Sequence, residues 1–125
     1  MLPSSVQSVL HPATAYTVTG SLWLECEGKR FFGPGRVELL QLIEETGSIN
    51  KAARQMGMSY KKAWEMVSAM NTQAAQPLVV TQTGGEKGGG SHITPAARQL
   101  ITYHRELRQR FEDFLEKETR RLRSV

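Results

Sequence analysis

Apolar positions along the chain change period several times. Alternation gives way to helical spacing, the period changes once more, and a long stretch at spacings of three and four follows. Residues 1–16 follow neither pattern; Pro3, Ser4, Ser5, His11 and Pro12 mark them as a flexible N-terminal arm. From Val18 to Cys26 the pattern alternates, with Val18, Leu22 and Leu24 on one face and Trp23 on the other. Glu27-Gly28 offers a turn and Arg30-Phe31-Phe32 a returning strand, so a short hairpin is predicted.

Gly33-Pro34-Gly35 ends the hairpin. A helix is predicted over 36–46, with Val37, Leu39, Leu40, Leu42 and Ile43 as its apolar stripe and Gly47 as its stop. Ser48 then stands where an N-cap belongs, and Ile49, Ala52, Ala53 and Met56 share one side of a short helix that Gly57 ends. Ser59 caps a second helix from Tyr60 to about Asn71, whose buried stripe is read as Ala63, Trp64, Val67 and Met70. Helix, tight turn and helix, with alanines where the two must cross closely, is the pattern of a helix-turn-helix.

The period then shortens. Residues 77–81 read as a strand, Thr83–Ser91 as a loop holding five glycines, and His92-Ile93 as the start of a return strand. A two-stranded ribbon placed directly after a helix-turn-helix is a wing. Thr94 and Pro95 open the last helix as cap and first residue. It runs to about Leu122, and its stripe of Leu100, Ile101, His104, Leu107, Phe111, Phe114, Leu115 and Leu122 is longer than one small domain can cover. The same helix of a second chain is the expected partner, with Leu100, Ile101, His104, Leu107, Phe111, Phe114 and Leu115 as the dimer interface. The predicted fold is mainly α with a small β component. It divides into the arm, a winged helix-turn-helix domain with its N-terminal hairpin over 17–94, and a dimerisation helix over 95–125.

Charge narrows the function. The chain carries 16 Lys and Arg against 12 Asp and Glu, a net +4. Up to Gly28 it holds Glu25 and Glu27 and no base; from Lys29 to His92 there are eight bases and five acids, and from Ile93 onward eight and five again. This permits a nucleic-acid partner without requiring one. Cys26 is alone, so no internal disulfide forms. Neither a signal peptide nor an apolar run of membrane-spanning length is visible, and a cytoplasmic location is expected. His11, His92 and His104 are dispersed, and no acid pair, triad or metal-ligand spacing stands out, so neither an enzyme nor a metal or other cofactor is expected. The glycines around Lys87 lack the spacing of a nucleotide phosphate loop.

Within this fold, double-stranded DNA is the expected partner. The first turn of the helix starting at Ser59 points Ser59, Tyr60, Lys61 and Lys62 toward a major groove, with Glu65 one turn beyond Lys61. Glu65 either accepts from a cytosine amine or pairs with Lys61. Lys51 and Arg54, on the preceding helix, are placed near phosphates, and Lys87 in the wing near phosphate or the minor groove. Taken alone, the helix face is equally a solvated surface, and the loop around Lys87 has a disordered surface loop as its alternative. Two other readings stay open: an architectural or protein-interaction module that keeps the fold without reading DNA, and a direct sensor of a small oxyanion in the dimer cleft.

The chain resembles the N-terminal DNA-binding domain of ModE-type molybdate-responsive regulators, winged-helix proteins distantly similar to the LysR type. The resemblance rests on Leu22–Glu25, Gly33–Ile43, the run Thr46–Trp64 with its Ser59-Tyr60-Lys61-Lys62-Ala63-Trp64 string, Met70-Asn71, Pro77–Val79, Thr83–Gly90 and Ile93–Leu100. It covers about residues 20 to 107. It implies a homodimer built through the hairpin side and the last helix, recognition by the helix starting at Ser59, and a wing over Thr83–Ser91. It also implies a link to molybdenum metabolism. Full-length members continue into small β-barrel domains that bind molybdate or tungstate. No strand-rich segment follows the last helix here, which puts oxyanion sensing by this chain alone in doubt.

Overall fold

Glycine, proline and hydroxyl caps set where the elements begin and end. The computed structural model describes residues 4–82 and 90–123. Strands β1 (Leu24–Cys26) and β2 (Lys29–Phe32) form the first antiparallel hairpin. Its turn places Glu27 and Gly28 at φ 51° and 81°, the doubly left-handed pair that matches the twist of two tightly joined strands. The alternating run begins at Val18, but the strand does so only at Leu24. Phe32 pairs with Leu24, and Gly33-Pro34 turns the chain away, so residues before Leu24 meet no continuation of β2.

Helix α2 (Pro34–Thr46) starts with proline in its first turn, where a missing N–H costs nothing. It stops at Gly47, whose φ of 71° is left-handed and whose N–H returns to the Ile43 carbonyl. Helix α3 (Ile49–Gln55) follows after two residues, Gly47 and Ser48, and Ser48 Oγ accepts from the Lys51 N–H at 3.1 Å. Helix α4 (Tyr60–Gln73) is opened in the same way by Ser59, which accepts from the Lys62 N–H at 3.1 Å. Strands β3 (Val79–Gln82) and β4 (Gly90–Ile93) pair antiparallel, Val79 with Ile93 and Gln82 with Gly90. Helix α5 (Pro95–Arg123) begins at Thr94, whose Oγ1 accepts from the Ala97 N–H and donates to the Pro77 carbonyl. The mainly helical winged helix-turn-helix architecture is therefore present; β3 starts two residues later than the predicted strand, and β4 begins at Gly90, within the stretch predicted as loop.

The residues from Trp23 to His104 form one compact unit. Its core joins Phe32 to Leu39, Leu40 and Ile43 of α2, Ile49, Ala52 and Ala53 of α3, Ala63, Val67 and Met70 of α4, Leu78, Val79 and Ile93 of the ribbon, and Ala97 and Ile101 of α5. The small side chains of Ala52, Ala53 and Ala63 are fully buried and let α3 and α4 approach closely. Trp64 departs from the expectation. It was read into the buried stripe, yet it is 52% exposed. Residues 63 and 64 lie about 100° apart around a helix, and the core side is held by Ala63, Val67 and Met70, so the indole turns outward.

The segments up to Leu22 and from Arg105 onward form the second unit. Its first element is a short helix, α1 (Ser4–Val9), in a stretch where no periodicity was read. Within this unit the Val18 N–H donates to Thr119 Oγ1 at 2.9 Å, and the ring of Phe111 stands against Gly20, where an added Cβ would come within 3.0 Å.

Candidate nucleic-acid interface

The predicted DNA-facing residues within the described chain are all exposed on two consecutive helices. Ser59, Tyr60, Lys61, Lys62 and Glu65 are all exposed along the first half of α4, and Lys51 and Arg54 are exposed on α3. The turn between the helices makes this possible. Gly57, at φ 69°, takes a left-handed conformation that lets the chain reverse, and the Met58 N–H returns to the Ala53 carbonyl at 3.0 Å. Each serine cap satisfies one first-turn N–H, while the other first-turn donors of α3 and α4 point outward from the helix ends. Such an end, with its partial positive charge and flanking lysines, suits phosphate oxygens. Lys87 and the predicted wing loop over 83–89 lie outside the described residues.

Several residues that hold this surface in place escaped the sequence reading. Arg36, on α2, donates through one nitrogen to the carbonyls of Arg30 (3.1 Å) and Phe31 (2.6 Å) and to Gln73 Oε1 (3.1 Å). Partial burial pushes its pKa down from the usual arginine range, yet the carbonyl and amide acceptors suit the cation. Gln73 completes the bracket by donating to the Arg30 carbonyl. The first hairpin, α2 and the end of α4 are thus tied at one point. On the other side, Asn71 of α4 binds the beginning of β3, and the Ser91 N–H of β4 donates to the Gly47 carbonyl at 2.9 Å. The ribbon is fastened to the end of α2 and to the last turn of α4.

Trp23 is half-buried and takes no part in the surface. The Arg30 guanidinium lies 4.2 Å from its ring centroid, a cation–π contact, and Gly33 leaves room for the indole. Tyr60 and Trp64 behave differently: both are 52% exposed, and with Lys61 and Glu65 they line a shallow depression on the outer side of α4.

The predicted dimer stripe divides. Ile101 and His104 are both 7% exposed inside the Trp23–His104 unit, and His104 stands edge-on to Phe32 with centroids 5.7 Å apart. These two are covered by their own chain, because the first turns of α5 complete its core. Leu100 is half-buried against the same core. Further along, Leu107, Phe111 and Leu115 are half-buried and Phe114 is 55% exposed. Among the described residues, no group of histidine, cysteine or acidic side chains is arranged to hold a metal ion, and no helix is long and apolar enough to cross a membrane.

The sequence profile of bacterial regulatory helix-turn-helix proteins of the lysR family matches residues 35–98, from the first turn of α2 into α5. The chain is 40% identical over 90 residues to the molybdenum transport protein ModE of Azotobacter vinelandii, covering 72% of this chain and 33% of that protein. It is 51% identical over 78 residues to the molybdenum-pterin-binding protein MopB of Rhodobacter capsulatus, covering 62% and 28%. To the DNA-binding transcriptional dual regulator ModE of Escherichia coli K12 it is 40% identical over 80 residues, covering 64% and 30%. The match spans about a third of the length of each of these relatives.

Proposed function

Because the chain belongs to the lysR family of bacterial regulatory helix-turn-helix proteins, we propose that it is a sequence-specific double-stranded DNA-binding transcription regulator that acts as a homodimer. The carrying observation is the exposed, serine-capped start of α4, where Ser59, Tyr60, Lys61 and Lys62 stand clear of the core, together with the exposed Lys51 and Arg54 of α3. A helix end of this kind enters a major groove, while the neighbouring helix grips phosphates. Lys87 in the ribbon supplies a further phosphate or minor-groove contact. The exposed Phe114 and half-covered Leu107, Phe111 and Leu115 of α5 provide apolar surface for a second copy. The relatives named for molybdenum transport and molybdenum-pterin binding favour target genes concerned with molybdenum.

Fluorescence anisotropy with genomic fragments tests this reading. Saturable binding to a small set of promoter fragments is expected, with the double variant Lys61→Ala, Lys62→Ala losing that binding while its mass in solution is unchanged. Equal, weak binding to every fragment with a steep dependence on salt would overturn it.

A further inference from the structure

We propose that Trp64, together with Tyr60, is a specificity-determining element that reads thymine methyl groups in the major groove. This rests on the DNA-binding reading above. An indole at 52% exposure is an unusual expense on a small domain, since apolar surface of that size is ordinarily turned inward. Nothing in its position forces it out except the core side of α4 being filled by Ala63, Val67 and Met70. A residue of lower cost would serve equally well if the position only faced water.

The surroundings select the occupant. Tyr60 and Trp64 are one turn apart on the same helix, equally exposed, and share their depression with Lys61 and Glu65. Lys62 is exposed on the same helix, and Lys51 and Arg54 are exposed on the preceding one. A ligand that spans the two helices and covers this patch is therefore anionic and yet offers an apolar group between hydrogen-bonding edges. Duplex DNA meets both conditions in one place. Its phosphates answer the lysines and arginine, and the C5-methyl of thymine is the apolar group displayed on the major-groove floor. Lys61 and Glu65 stand beside the rings as donor and acceptor for the neighbouring base edges. The aromatic pair reads an A·T step by packing, and the charged pair reads or positions what flanks it.

The test uses the full chain and a site chosen from a random duplex pool by repeated binding and recovery. Each thymine of that site is then replaced in turn by deoxyuridine, which removes only the methyl group. Binding of the unaltered protein is expected to weaken about three- to fivefold at one or two positions, the scale of one buried methyl. In Trp64→Ala the thymine-to-uracil ratio at those positions should fall to about one by the same reckoning. The Lys61→Ala, Lys62→Ala variant should lose affinity for both duplexes while keeping the ratio. Trp64→Gln, which removes the ring but keeps a long side chain on the exposed face, carries the measurement if Trp64→Ala fails to fold by circular dichroism. Insensitivity to every methyl, or an unchanged ratio in the variant that retains fold, overturns the inference while leaving DNA binding intact. So does a change in assembly mass on replacing Trp64, which would place the ring in a protein contact. Failure of the folded, unaltered chain to bind any duplex overturns both readings at once.

Discussion

Asn71 of α4 holds the backbone of Val79 in β3 from both sides. Its Nδ2 donates to the Val79 carbonyl at 3.0 Å, and its Oδ1 accepts from the Val79 N–H at 3.1 Å and the Leu78 N–H at 2.8 Å. Leu78 and Val79 are 2% and 4% exposed, so water does not readily replace the amide. Asn71→Ala should cost about 2–3 kcal/mol, the scale of leaving buried backbone groups without partners. Urea unfolding followed by circular dichroism checks this. A cost near zero would mean the amide does not hold the ribbon.

Gly33 is required for a steric reason rather than a conformational one. Its backbone is extended, with φ −169°, which any residue adopts, but an added Cβ would lie 2.4 Å from the Trp23 ring. Gly33→Ala should destabilise by about 1–3 kcal/mol through overpacking. In the background Trp23→Leu, which removes the ring, most of that cost should vanish. The double-mutant cycle should show coupling above ~0.5 kcal/mol; simple additivity would place the strain elsewhere.

The two serine caps invite the same substitution for different readouts. Ser48→Ala and Ser59→Ala should each cost about 1 kcal/mol, because each leaves one first-turn N–H without its acceptor. Ser59→Gly should cost only a few tenths, roughly, since glycine tolerates the cap conformation. Thermal melts of the three variants rank them. Ser59→Gly melting with or below Ser59→Ala would show that the hydroxyl bond is not what opens α4.

Lys51 and Arg54 are expected to position and not to specify. On the proposed DNA function, Lys51→Ala and Arg54→Ala should weaken binding by similar factors on strong and weak sites. Each should reduce the salt slope by about one. Anisotropy titrations at several salt concentrations on two duplexes measure both quantities. A selective loss on the strong site alone would move that residue from phosphate to base contact.

How much of this was legible in the chain depends on how far apart the interacting groups lie. Gly47, Ser48, Ser59 and the Thr94-Pro95 pair were readable because a cap and its acceptor sit within a few residues. The ribbon was readable as two short strands, though not their bounds: β3 runs Val79–Gln82 and β4 begins at Gly90, in the stretch read as loop. Arg36 and Asn71 were not readable in these roles. Arg36 joins Gln73 across 37 positions, and the partners of Asn71 are main-chain atoms that carry no sequence signature. Trp64 was misread because periodicity locates a stripe but not its edge, and ring size argued for the core. Ile101 and His104 were assigned to a partner chain for a related reason: the stripe of α5 is continuous, so it does not say where this chain's own core stops and free surface begins.

Gly47 does two things at once: it ends α2, and its carbonyl receives the Ser91 N–H while the bare Cα of Gly90 passes close by, an added Cβ there falling 3.2 Å from the same oxygen. Two strands of four residues are too few to persist by themselves in water. The ribbon therefore borrows its permanence from a helix end and an asparagine outside it. Any chimera that transplants it to another scaffold must carry Gly47 and Asn71 along, or the transplanted hairpin will melt away from its new host.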